Sequence, residues 1–189
     1  MTAQITDTIF YQNNRHEIVG IKGKGLIDPT NFGLNPIMIH TACYRGYHVE
    51  YSVLNDKLLL TRMHVKDANE TYPLISGVTA SLLYYESHDG EKRQRSERCY
   101  EGLRVPVPFS GGLLIARDFI REMYVHMGFQ KPTSFRTVHE LLVDNGNITR
   151  MIDHSESVSG LRRKMQGQSP EPDDLVAWIN DMFSLDYFI

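Results

Sequence analysis

Three times along this chain, a run of alternating apolar residues meets a pair of turn-forming residues and a second such run follows. Thr8–Gln12 leads through Asn13-Asn14 to His16–Ile21. His48–Leu54 leads through Asn55-Asp56 to Lys57–Val65. Phe135–Asp144 leads through Asn145-Gly146 to Asn147–Ile152. Alternation with period 2 is the signature of a half-buried strand. Asn, Asp and Gly tolerate the positive φ that a two-residue type I′ turn demands at both central positions. A chain with three such units is built largely from β-hairpins.

The expected fold is therefore α+β and mostly antiparallel: hairpins forming a curved sheet or small barrel, with one or two C-terminal helices. The 189 residues and 41% apolar content suffice for one real core. The sequence divides into a β-rich domain over 1–166, a linker over 167–172 containing two prolines, and an amphipathic helix over 173–189. Leu175, Trp178, Ile179 and Met182 form the stripe of that helix, expected to pack on the same domain. A first helix is expected after Ser155, through Val158, Leu161, Arg162 and Met165.

A shift of 90 residues lays Asn55-Asp56 on Asn145-Gly146, Leu58 on Ile148 and His64 on His154. This suggests duplication of a β-unit, with the junction between halves as a natural ligand site. Other stretches read less sharply. Ile37–Thr41 is a short apolar run that reads as a strand, and Thr79–Glu86 as another. Ser87–Arg98 is polar and reads as an exposed loop. Leu103–Phe109 alternates, but its two prolines confine it to an edge or an extended connection, and an edge near Val105 would support homodimerisation. Ala116–Phe129 reads as a short helix or turn, with Phe119, Ile120 and Met123 on one face, followed by a strand.

Charge and motif content exclude more than they select. The 23 acidic residues outnumber the 20 basic ones, so nucleic acid is not an expected partner. No run of about 18 apolar residues exists to cross a membrane. The start, Met1–Asp7, has no basic and apolar segments of a signal peptide. Two cysteines without a C-x-x-C pair fit a reduced, cytoplasmic protein. No motif calls for a cofactor, and the eight histidines contain no H-E-x-x-H pair. His139 and His154 could meet at the open end of their hairpin and, with Asp153 or Glu140, hold zinc, but unpaired surface histidines are the default.

Chemistry concentrates in His40–His48, which holds a thiol, two imidazoles, a guanidinium and two phenols. Cys43 would need a neighbouring base or cation to act as a thiolate nucleophile. In an extended segment it shares a face with Arg45, not with His40. Gly20–Gly25 lacks the Walker pattern and a following helix, so it reads as a plain loop. Lys92-Arg93-Gln94-Arg95 and Arg162-Arg163-Lys164 read as solvated faces. The expected function is a non-catalytic binding protein that holds a small molecule or a partner protein in a polar-aromatic groove. Its expected contact residues are Tyr44, Arg45, Tyr47, Arg117 and His126, because aromatic and Arg side chains dominate recognition surfaces. Two other readings stay open: a hydrolytic enzyme using Cys43 or a histidine, and a subunit anchored to an assembly by the C-terminal helix.

Overall fold

The computed structural model describes residues 2–24, 26–165 and 184–187, the side chain of Met165 excepted. Nine strands and one helix follow in order: β1 (Thr8–Tyr11), β2 (Asn14–Lys22), β3 (Tyr47–Leu54), β4 (Lys57–Val65), β5 (Ser81–Glu86), β6 (Lys92–Pro106), β7 (Gly111–Phe119), β8 (Phe135–Asp144), β9 (Asn147–Asp153) and α1 (Ser155–Met165). The three expected hairpins are β1–β2, β3–β4 and β8–β9. Their turns carry positive φ at Gln12 and Asn13, at Asn55 and Asp56, and at Asn145 and Gly146. Each turn is thus the two-residue kind that suits twisted strands. The first sits one residue earlier than the sequence suggests.

The sheet curves into a ring, as expected. Its strand order is β3-β1-β2-β7-β8-β9-β4, and a further β3–β4 pairing closes it. All pairs are antiparallel except β1 with β3. Closure between β9 and β4 is narrow. It rests on the Lys57–Asn147 pair, with Leu58 N–H donating to Gly146 O at 2.8 Å and Ile148 N–H to Asp56 O at 2.7 Å. The two hairpin tips with the same turn chemistry therefore meet each other. A cavity of about 310 Å³ lies at that junction, lined by Leu58, Val107, Asn145 and Gly146 among others. β6 extends the sheet from β4, and β5 is its outermost strand.

The ring is filled. Ile9, Ile18, Val49, Tyr51, Leu58, Leu60, Met63, Tyr100, Leu103, Leu113, Ile115 and Leu141 form one buried cluster inside it. Alternation puts Val19, Leu114, Ala116 and Val138 on the outside, where Val158 of α1 covers them with Phe135. α1 begins where Asp153 Oδ1 accepts from Ser155 N–H at 2.8 Å. Ser155 itself faces back, its Oγ accepting from Val138 N–H at 3.1 Å, so Ser155 ties helix to sheet and is not the cap.

Residues 184–187 lie against the ring. Ile21 N–H donates to Leu185 O at 2.7 Å, and Tyr187 O–H to Glu140 Oε1 at 2.7 Å. Tyr187 crosses two strands at glycines. A Cβ at Gly20 would sit 2.6 Å from its Cδ1, so only a bare backbone admits the ring there. The expected linker over 167–172 and the rest of the helix expected over 173–189 lie outside the described residues.

Three local expectations fail. Ile37–Thr41 forms no strand: Ile37 and Met38 are exposed, and only Pro36 makes an isolated bridge, to Asp67. Lys92–Arg98 is strand, not loop, because it pairs with β5. Leu103–Pro106, by contrast, is the expected edge: it pairs with β4 on one side, the β5 pairing stops at Cys99, and Pro106 is the terminal residue of β6, where its missing N–H costs least. Ala116–Phe119 is the end of β7, held by pairing to β8. A 3-10 turn, Arg121–Met123, follows, and the expected strand is absent from residues 124–129. Among the described residues, no helix is long and apolar enough to cross a membrane.

Candidate functional site

The segment before β3 folds over the lower edge of the ring. Arg45 is its anchor. Its guanidinium forms a two-pronged pair with the Asp7 carboxylate, one prong at 3.1 Å, and its Nε–H donates to Tyr47 O at 2.8 Å. Asp7 Oδ1 also accepts from Val49 N–H at 2.8 Å, tying β1 to β3. The Asp7 side chain is only 5% exposed. A fork-shaped guanidinium on a buried carboxylate is a strong, directional contact. Tyr47 packs its ring under the Arg45 cation, 4.5 Å from carbon to centroid, and its O–H donates to Ile27 O at 3.3 Å.

Gln4 closes the same segment from the other side. Its amide N–H groups donate to Thr2 O and Thr41 O, and its Oε1 accepts from Tyr44 N–H at 3.2 Å. Between these anchors lies a cavity of about 350 Å³ lined by Gln4, Ile5, Cys43, Tyr44, Arg45, Phe129 and Leu185. Four separate stretches of chain meet there. The wall is mostly apolar, with Gln4, Tyr44 and Arg45 as its polar or charged residues. A larger groove of about 640 Å³ lies across the tips of β1–β2 and β3–β4, with Phe10, Leu54 and Arg104 in its walls.

Of the residues singled out from sequence, Tyr44 and Arg45 line the smaller cavity together with Cys43. Tyr47 stands behind Arg45 and is not in the cavity wall. Arg117 lies on β7, with its Nη1 3.2 Å from Asp118 Oδ2. His126 is exposed in the loop after β7, edge-on to Tyr124 at 5.0 Å. Sequence reasoning missed Gln4, Ile5, Phe129 and Leu185. None belongs to a motif, the last three carry no polar side chain, and only the folded chain brings them together.

The thiols are not poised for chemistry. Burial pushes the Cys43 thiol up, and its Sγ–H donates to Tyr47 O at 3.3 Å. Burial pushes Cys99 up to about 11, with its Sγ 3.6 Å from His64 Nε2. A thiol that stays protonated at neutral pH is a poor nucleophile. His64 in turn stacks on His48 with centroids 4.4 Å apart, and burial holds His48 down to about 4.

His139 and His154 do not meet. They lie on opposite faces of the sheet, and each faces a carboxylate. His154 Nε2 is 2.9 Å from Glu140 Oε2, and His139 Nε2 is 3.8 Å from Asp153 Oδ1. The ring nearest His139 is His16, at 6.0 Å between centroids. The first basic stretch is a solvated face as expected, whereas Arg162 of the second is drawn into the fold. Arg93 pairs with Asp89 at 2.5 Å, Lys92 lies over Tyr84, and Arg162 donates to Thr133 O and Phe135 O. Comparison with protein-family models, curated proteins and solved structures finds no match to this chain.

Proposed function

We propose that this chain is a small, cytoplasmic, non-catalytic binding protein. Its site is the cavity between Gln4, Cys43, Tyr44, Arg45, Phe129 and Leu185. One observation carries the reading: residues 4–5, 43–45, 129 and 185 converge on a single hollow of about 350 Å³. That volume is at the small end of ligand sites, and a mostly apolar wall with a few polar groups is the usual make-up of such sites. The occupant that suits it is a compact, largely apolar or aromatic molecule, because the Arg45 guanidinium is already engaged by Asp7 and Tyr47 O. The buried, hydrogen-bonded thiol of Cys43 counts against the hydrolytic reading. The docking of Leu185 and Tyr187 on their own ring counts against a tail held free for an assembly.

The test is fluorescence titration with 8-anilinonaphthalene-1-sulfonate, an aromatic probe with one anionic edge. The comparison variants are Ile5→Trp, which fills the hollow, and Leu54→Ala, which trims the larger groove. Loss of probe binding in Ile5→Trp with retention in Leu54→Ala supports the reading. Binding unchanged by Ile5→Trp overturns it.

A further inference from the structure

The outer face of the ring is treated differently on its two sides. Over β2, β7 and β8, α1 covers it. Over β1, β3 and β4 lies the groove of about 640 Å³. Register sets Phe10, Ser52 and Leu59 side by side there, one from each strand. Phe10 is 37% exposed and Leu54, at the rim, 56%. These apolar side chains face water in the described residues.

The sheet is irregular at this place and nowhere regular enough to be a plain surface. Between the pairs Leu60–Val105 and Arg62–Glu101, β6 spends three residues, Gly102, Leu103 and Arg104, where β4 spends one, Thr61. Against β3, Thr61 is itself the extra residue, and its hydroxyl donates to Glu50 O at 2.9 Å. Gly102 takes the left-handed φ of 77° that makes the β6 bulge. The bulge sends Leu103 into the core, 1% exposed, and leaves Arg104 exposed in the groove wall. Bulges commonly re-aim a side chain beside a site.

Arg104 is the one charged residue in that wall, and no acid lines it. Arg45, Arg62, Arg93, Arg95 and Arg117 each face a carboxylate. Among the described residues, Arg104 has no hydrogen bond or ion pair, and Ser52 Oγ has no partner either.

We propose that this groove binds an aliphatic monocarboxylate, with the carboxylate on Arg104 and the chain laid over Phe10, Leu54 and Leu59. A guanidinium fork matches a carboxylate in shape and charge. One cation with no second beside it suits one negative charge better than a phosphate dianion. Three neighbouring strands span about 10 Å, enough to seat an extended acyl chain of medium length. The volume falls well inside the range of ligand sites. The groove is separate from the hollow at Arg45, so the proposal stands or falls independently of that site.

The test is calorimetric titration of the full chain with octanoate, and with octanol as the uncharged probe. The variants are Arg104→Gln, Leu54→Asp and Ile5→Trp. Arg104 and Leu54 are exposed, so their replacement leaves the core intact. One equivalent of octanoate is expected, weaker by roughly tenfold or more in Arg104→Gln and Leu54→Asp and unchanged in Ile5→Trp. Octanol is expected to bind more weakly than octanoate. Affinity unchanged in Arg104→Gln overturns the proposal, as does octanol binding as tightly as octanoate, or no binding of octanoate at all. Loss in Ile5→Trp alone moves the ligand to the other hollow and refutes it too. Amide shifts of the unmodified chain give a second reading: octanoate must shift Gly102 and Arg104, and shifts confined to other residues refute the site.

Discussion

The stretch from Cys43 to Tyr47 and the pair His16–His139 make opposite use of reactive residue types. In the first, the polar groups are consumed by the fold: Arg45 holds Asp7, Cys43 donates to Tyr47 O, and Tyr47 reaches Ile27 O. In the second, Nε2 of His16 and Nδ1 of His139 are buried with no hydrogen-bond partner among the described residues. The first is dense in sequence and was the natural place to look for chemistry. The second joins residues more than a hundred positions apart. The lesson is that density of functional groups along a chain does not measure how many stay available after folding.

The largest effect should come from breaking the engaged region. Asp7→Ala strands the half-buried Arg45 cation and frees Val49 N–H, and removing one partner of such a pair costs about 3–5 kcal/mol. Urea unfolding should show that loss, and a change below about 1 kcal/mol would mean the clasp is not structural. Acid comes next. His48 is held down to about 4 in the fold, against 6.5 when free, with burial as the main cause. A lowered histidine leaves stability untouched above pH 6.5. As pH falls from 6.5 toward 4, the unfolded chain takes up the proton first, so stability drops. At pH 5 the loss from His48 alone is about 2 kcal/mol. His16 is lowered in the same direction, whereas Glu17 is raised by burial, so the folded chain takes that proton first and stability gains from it as pH falls toward 4.5. In His48→Gln the slope between pH 6.5 and 5 should flatten.

The open region should respond in the reverse sense. His139→Leu replaces a partnerless buried nitrogen with an apolar group. It should leave stability unchanged or raise it by about 1 kcal/mol. A loss above about 2 kcal/mol would show that Nδ1 has a partner after all. The smallest effect belongs to the solvated ribbon of β5 and β6. Arg93→Ala removes exposed pairs with Asp89 and Glu91, and unfolding should change by less than about 0.5 kcal/mol.

The hairpins were readable from sequence because turn chemistry is local: Asn55-Asp56 and Asn145-Gly146 set their own geometry. Lys92–Arg98 was misread because Lys92–Ser96 is exposed on both faces and the buried residue that follows, Glu97, is itself polar, so the stretch shows no alternation of apolar and polar residues. Phe119 and Met123 have helical spacing, yet pairing of Arg117 with Thr137 and of Phe119 with Phe135 holds that stretch as strand. Tertiary pairing outweighs so weak a local preference. At the site, Tyr44 and Arg45 were legible as side chains suited to recognition. Asp7, the partner that decides what Arg45 does, lies 38 residues away with no motif to link them. His16 and His139 are joined only by the ring.

The most direct test of the contrast is a ¹⁵N titration of the histidines in the full chain. His16 should titrate below pH 6.5 because of its burial, with its proton on Nδ1, facing Asn14 O, and Nε2 bare. Should His16 titrate near 6.5 as an ordinary mixture of tautomers, the ring is neither sealed nor fixed by Asn14, and the open pair inside the barrel does not exist.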